Sequence, residues 1–284
     1  MSDSTNIKLT LIEIFSLFLI FIMYSIVLLP YYYLFDFINY IHIITGVFIM
    51  ISVSVIYTSL KIWWKYRGKY VSRDENPYLH EKLENLSSDM NATKPKLVIL
   101  DSDIPNAYAT DSLPARPIVI LTTSLLNTLE DKELDAVIAH EISHINSYDI
   151  FFMTVLSTII SFIRHKYNTL LRYSHRENTI VFVIFTSIPL LILRINLFIC
   201  RIVFFIISRV REYMADNSAA EATSPVYMKN ALIRINQRLL NLQYVDSNEI
   251  KEAEPLCIVP FVEKSNLFRT HPQLKDRIEN LEKR

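Results

Sequence analysis

The sequence predicts an integral membrane protein of the α+β class, mainly helical, with a small β-sheet in its water-exposed part. Three observations carry that expectation. Hydrophobic residues make up 51% of the 284-residue chain, more than a soluble fold of this size needs. Apolar runs long enough to cross a bilayer stand near the N-terminus. Between and after them lie polar stretches with short β-branched runs and helical apolar spacing.

The first run, Leu9 to Leu29, matches a hydrocarbon core of roughly 30 Å at about 1.5 Å per helical residue. No alanine precedes Ala92, so a small-residue cleavage site is missing and the run reads as a retained span, not a signal peptide. A second span runs from about Ile41 to Trp64. Tyr31, Tyr32, Tyr33, Phe35 and Phe37 lie between the two and Trp63 and Trp64 close the second, as aromatic belts do at the two interfaces. Glu13 and His42 fall near span ends, where interfacial placement accounts for them. The 30–40 loop has Asp36 and no Lys or Arg, whereas Lys61, Lys65, Arg67, Lys69 and Arg73 follow the second span. The positive-inside rule puts the basic side, and everything from Arg67 to Asp149, in the cytoplasm. The chain thus divides into two transmembrane helices over 1–64, a cytoplasmic part over 65–149, an apolar hairpin over 150–208 and a second cytoplasmic part over 209–284.

Asn76-Pro77 is a cap followed by a favoured first helical residue, and Leu79, Leu83 and Leu86 keep helical spacing after it. "KLVIL" (96–100) and "RPIVILTT" (116–123) read as buried strands, with "NAYAT" (106–110) as an edge strand between them. "LEDKELDAVIAHEISHIN" is a helix with Leu134, Val137, Ile138 and Ile142 on its apolar face. Two apolar stretches follow, Ile150–Ile163 and a longer one from Ile180 to Ser208 interrupted by Pro189, Arg194 and Arg201. The loop between them carries Arg164, Lys166, Arg172 and Arg176. A full crossing would put that basic loop outside, against the charge rule, while a re-entrant or interfacial hairpin would not. Arg194 and Arg201 read as snorkelling or paired within the bundle. Ser224-Pro225 opens a helix to about Leu240, residues 242–262 read as irregular, and Pro272 starts a C-terminal amphipathic helix.

Composition narrows the chemistry. Net charge is zero, which gives no footprint for nucleic acid. Only Gly46 and Gly68 are glycines, which disfavours phosphate-cradling loops, and Cys200 and Cys257 are too few for a disulfide framework. Against that background "HEISH" (140–144) stands out. With seven His in the chain, such a pattern arises by chance on the order of once in a hundred sequences. On a helix His140 and His144 share a face one turn apart, and Glu141 lies about 100° around. Two imidazoles can supply half of a tetrahedral zinc site, and Glu141 stands where it can move a proton for a bound water. A third ligand has to come from elsewhere. Glu212 in "SRVREYMADNSAA" is one choice on spacing, and Glu177 and Glu221 are others. Asp216, one turn after Glu212, and Asp149, shortly after His144, can each orient a ligand histidine.

"NAYAT", "HEISHINSYD", "REYMAD" and "THPQLKDRI", in this order and behind two N-terminal spans, resemble the HtpX-type membrane zinc endopeptidases, relatives of the CAAX prenyl protease. The resemblance covers essentially the whole chain and implies a mainly helical, zincin-type protease domain. By it His140, His144 and Glu212 hold one Zn2+ per chain, Glu141 is the general base, and Asp149 and Asp216 support the ligands. Asn106 and His271 match positions credited with binding substrate or stabilising the oxyanion, and Arg277 matches a supporting basic position. The "NAYAT" strand would pair with extended substrate. Asp111 departs from the pattern, standing where relatives often carry glycine.

The implied function is a multi-pass, membrane-anchored zinc endopeptidase of the plasma (inner) membrane. Its site would face the cytoplasm, and its polypeptide substrates would be membrane proteins with unfolded segments. The alternatives are a CAAX-type processing protease, for which the chain has few spans, and a non-catalytic scaffold with structural zinc, in which Glu141 would have no task.

Overall fold

The computed structural model describes residues 40–66, 68–110, 116–177, 179–242 and 271–284. The predicted first span with Glu13, the loop before residue 40, Asp111 and all but the first residue of the 242–262 stretch lie outside the described residues. Those described form two compact units, within Met1–Ser54 plus Thr154–Ile207 and within Val55–Met153 plus Ser208–Arg284. The architecture is mostly helical with one small mixed sheet.

The second unit holds the sheet. Its strands are β1 (Lys96–Leu100), β2 (Ala107–Thr110) and β3 (Ile118–Thr122), in spatial order β1-β3-β2. β3 pairs parallel with β1 and antiparallel with β2, so β2 is an edge strand, as its composition suggests. The central strand is buried on both faces. Leu97, Val119 and Leu121 face the main core, whereas Val98, Ile118 and Ile120 face Tyr66 at the end of helix α1 (Tyr40–Tyr66). Each fully buried aliphatic side chain here contributes about 1.5–3 kcal/mol. The Tyr66 and Tyr108 hydroxyls meet at 2.7 Å on that second face, fastening the end of α1 to the edge strand.

Helix α2 (Pro77–Asp89) starts where Asn76 accepts from the Leu79 N–H, and buries Leu79, Leu83 and Leu86. A short helix α3 (Thr123–Thr128), absent from the sequence reading, continues directly from β3 because Thr122 Oγ1 caps it by accepting from the Leu125 N–H. Helix α4 (Asp131–Asn146) follows. Its start is closed by the Glu133 carboxylate accepting from the Glu130 N–H at 2.9 Å. Leu134, Val137, Ile138 and Ile142 are buried as their spacing predicts, so α4 lies with its apolar face on the core and its histidines fixed by it.

Helix α5 (Asp149–Glu177) has 29 residues and α6 (Ile180–Ala222) has 43. The basic stretch with Arg164, Lys166, Arg172 and Arg176 is therefore helical and not the expected loop. No Gly or Pro interrupts it, and charged side chains are no obstacle to an exposed helix face. Pro189 sits inside α6 without ending it. It removes one backbone donor, the helical partner of the Phe185 carbonyl, and the hydroxyls before it bond to other carbonyls of the helix. Thr186 Oγ1 bonds to the Phe182 carbonyl at 2.9 Å and Ser187 Oγ to that of Ile184 at 2.7 Å. Within the first unit Ser174 meets Thr186 at 2.9 Å and Ser54 meets Thr158 at 2.7 Å. Ile180, Ile184, Ile188 and Leu191 stay exposed. Among the described residues, α6 is long and apolar enough to cross a membrane.

Helix α7 (Pro225–Leu240), capped by Ser224, covers α4 through Met228, Leu232 and Ile235, and α8 (Leu274–Glu282) buries Arg277 and Leu281.

Candidate metal centre

Four segments of the second unit converge: α4 with His140, Glu141 and His144, the start of α5 with Asp149, the polar end of α6 with Glu212 and Asp216, and the C-terminal segment with His271 and Arg277. Glu212 and Asp216 lie past the apolar run of α6, which ends near Ser208.

His140, His144 and Glu212 each bring a donor atom to one place. His140 Nε2 is 3.1 Å from His144 Nε2 and 3.8 Å from Glu212 Oε2, and His144 Nε2 is 3.6 Å from Glu212 Oε1. A tetrahedral zinc with bonds of about 2.0–2.1 Å needs donor atoms about 3.3–3.4 Å apart. The three observed separations bracket that value.

The other ring nitrogens explain why the lone pairs converge. His144 Nδ1 lies 2.5 Å from Asp149 Oδ2, and His140 Nδ1 lies 3.0 Å from Asp216 Oδ1. The His140 pair is within ion-pair reach but is not aligned as a hydrogen bond. With protons on both Nδ1 atoms toward carboxylates, each Nε2 presents a lone pair. Two such lone pairs 3.1 Å apart, facing a carboxylate, repel unless a proton or a metal cation sits between them. Glu212 Oε2 is buried and makes no hydrogen bond. A buried carboxylate oxygen without a hydrogen bond costs free energy unless something positive takes it up, and Arg277 Nη1, 3.5 Å from it, makes no hydrogen bond to it. The donor set therefore fits a zinc ion.

Arginines back both carboxylates. Arg277 donates from Nε at 2.7 Å and from Nη2 at 2.6 Å to Asp216, and its Nη1 is 3.5 Å from Glu212. Arg211 pairs with Asp149 and donates to the Ser147 carbonyl at 3.0 Å. His271 Nδ1 is 3.1 Å from Glu212 Oε1. Arg211 was not singled out from sequence, where it reads as one charge in a solvated stretch. Its place beside Glu212 was the only signal.

Asn106 enters through the sheet. It is buried before β2, its N–H donating to Thr122 Oγ1 at 2.9 Å and its carbonyl accepting from the Thr122 N–H at 3.0 Å. That pairing turns the main-chain groups of Ala107 and Ala109 toward the open edge. The Ala109 N–H reaches the Glu141 carboxylate, so the edge strand runs beside this residue.

For the polypeptide alone, burial raises the Glu141 carboxyl above its ordinary range, with His140 and His144 opposing. Burial also pushes the Glu212 carboxyl up, but His271, Arg277 and His144 outweigh it and hold the group well below that range. Asp216 is likewise lowered, its burial overcome by Arg277 and then His140. Burial disfavours a charge on His144, yet Asp149, Glu212 and Glu141 push it up to about 9.

Residues 73–284 match the model of peptidase family M48. The chain belongs to this family. It is thus a metalloprotease, a hydrolase of peptide bonds. It is similar to the protease HtpX homolog of Dictyoglomus thermophilum, with 38% identity over 224 residues covering 76% of this chain and 73% of the relative. It is also similar to the HtpX homolog of Methanocaldococcus jannaschii, 33% identical over 224 residues, 76% of this chain and 78% of the relative. The crystal structure of S. mikatae Ste24p superposes with a TM-score of 0.57 at 21% identity, covering 97% of this chain and 67% of that one, a likeness of fold.

Proposed function

We propose that His140, His144 and Glu212 hold one catalytic Zn2+ and that Glu141 is the general base of a membrane-anchored endopeptidase. The observation that carries this reading is the pair of Nε2 atoms 3.1 Å apart, opposite an unbonded Glu212 oxygen. Bound there, zinc would supply Lewis acidity and bring the pKa of its water toward about 7. Glu141 takes the proton of the attacking water and returns it to the leaving amine, a task suited to a carboxyl whose pKa is raised by burial. Asp149 and Asp216 fix the two histidines as Nε2 ligands. His271, held at Nδ1 by Glu212, offers its other ring nitrogen to the carbonyl oxygen as negative charge develops. Asn106 fixes the approach of the edge strand beside Glu141. An extended substrate segment adds to that edge through the outward groups of Ala107 and the Ala109 carbonyl, the Ala109 N–H being taken by Glu141.

In this reading residues 1–64 cross the bilayer twice, the apolar stretches of α5 and α6 form a hairpin in it, and the site faces the cytoplasm. Glu212 lies on the same unbroken helix as the apolar run. At about 1.5 Å per residue it stands roughly 6 Å past Ser208. Substrates already in or on the bilayer are then favoured by local concentration, which fits removal of damaged or misassembled membrane proteins.

Detergent-purified protein, stripped by a chelator and reloaded with zinc, tests the reading. Casein cleavage should vanish on stripping and return with one zinc per chain. Cleavage unaffected by complete stripping would refute it. A prenylated peptide cleaved far better than its unmodified counterpart would instead favour the processing protease.

A further inference from the structure

We propose that Arg211 is a positioning residue that locks the helix bearing Glu212 to the turn behind His144, and so sets the affinity of the site for its cation. The inference rests on the assignment of His144 and Glu212 as ligands.

Arg211 is buried, and Nη2 of its guanidinium meets two oxygens on another segment, one in a hydrogen bond and one in an ion pair. One is the carbonyl of Ser147, which closes the C-terminus of α4, at 3.0 Å. The other is Oδ1 of Asp149, the first residue of α5. The second oxygen of that carboxylate lies 2.5 Å from His144 Nδ1. The other nitrogen of the same ring faces Glu212 Oε1 at 3.6 Å, and Glu212 follows Arg211 in the chain. The links close into a ring, Arg211 to Asp149 to His144 to Glu212 and back through one peptide bond. A shift of Arg211 therefore displaces a ligand at each end of the ring.

The turn needs such a clamp. Tyr148, between the two acceptors, sits in the left-handed region at φ 54°, which a residue with a Cβ enters at a cost. Nη2 of Arg211 spans this turn from carbonyl to carboxylate, and the Phe152 ring lies 5.1 Å from the central carbon of the guanidinium. A planar fork with several donors can bridge two acceptors in fixed directions, while a lysine ammonium is a point charge on a flexible stem. Asp149 without its arginine would still meet His144, but the pair would lose its anchor on the residue beside Glu212.

The test uses the full chain in detergent, as wild type, Arg211→Met and Arg211→Lys. Zinc affinity is read by competition with a chelator of known strength, and the melting temperature of the stripped protein is read beside it. Arg211→Met should weaken zinc binding about 10–100-fold, as loss of a ligand-orienting group does, with one zinc per chain regained at high free zinc. Arg211→Lys should fall between it and wild type. A purely structural role would lower the melting temperature of the stripped protein and leave the affinity of the folded fraction unchanged, which would overturn the inference. If Arg211→Met does not fold, the lysine variant decides, and wild-type affinity in it overturns the inference. Wild type that binds no zinc would overturn the ligand assignment, and this inference with it. Zinc binding equal in wild type and Arg211→Met would overturn this inference alone.

Discussion

His140 and His144 each turn Nδ1 toward a buried carboxylate backed by a buried arginine, but the two arms are built in different surroundings. In the His140 arm the side chains of His140, Asp216 and Arg277 are 1%, 0% and 1% exposed. Its partners come from α4, α6 and α8, far apart in sequence. In the His144 arm, His144, Asp149 and Arg211 are 16%, 10% and 3% exposed. Here the carboxylate is only five residues from its histidine and depends on a tight turn. One arm is sealed by the core; the other is a local clip near solvent. The sealed arm should therefore contribute mainly to stability, and the open arm mainly to the exactness of the ligand geometry.

Breaking the sealed arm should have the largest effect on stability. Arg277→Met leaves Asp216 and Glu212 buried with a lost counter-charge, and breaking a buried pair of this kind costs about 3–5 kcal/mol. Denaturant unfolding of stripped protein measures it, and a loss under about 1 kcal/mol would mean that the pair is not as enclosed as its burial implies. Asp149→Asn in the open arm should weaken zinc binding about 10–100-fold by chelator competition, with a smaller stability loss than Arg277→Met. The reverse ranking would erase the distinction between the arms.

The arms should also answer to opposite ends of the pH scale in stripped protein. Asp216 is lowered from 3.8, so its contribution is present above that value and lost as pH falls through the lower folded one. His144 is raised from 6.5 to about 9, so its contribution is complete below 6.5 and lost as pH rises through about 9. Asp149→Asn should flatten the alkaline limb of a stability-versus-pH curve and spare the acid limb. An alkaline limb unchanged by the substitution would show that the open arm contributes no linkage. Arg284→Ala, which removes an exposed pair with Glu221, sets the floor, with a change of about 0–1 kcal/mol in the same denaturation experiment.

Local patterns made part of this legible from sequence. The apolar period of α4, the Asn76-Pro77 start of α2 and the edge character of β2 follow from residues near one another, and the described elements agree with them. The direct pairing of β1 with β3, which skips β2 in sequence, is a long-range choice that no local pattern carries. Helix α3 escaped because its cap, Thr122, reads as the end of a strand. The basic half of α5 reads as a loop because it lies between two apolar runs, although charged residues with no Gly or Pro among them continue a helix. The donors His140 and His144 are plain from spacing, whereas spacing offers Glu177 and Glu221 beside Glu212, and the fold brings Glu212 to the two histidines. Arg211 was invisible for the same reason, since its partners Ser147 and Asp149 are brought to it only by tertiary packing.

The central claim is that three residues hold the metal while Glu141 alone moves the proton. Glu141→Gln compared with wild type, in zinc content and casein cleavage on the same purified samples, tests it most directly. The variant should keep one zinc per chain and the wild-type fold, and lose proteolysis by several orders of magnitude. A zinc-loaded variant that cleaves at a rate comparable to wild type would contradict the account.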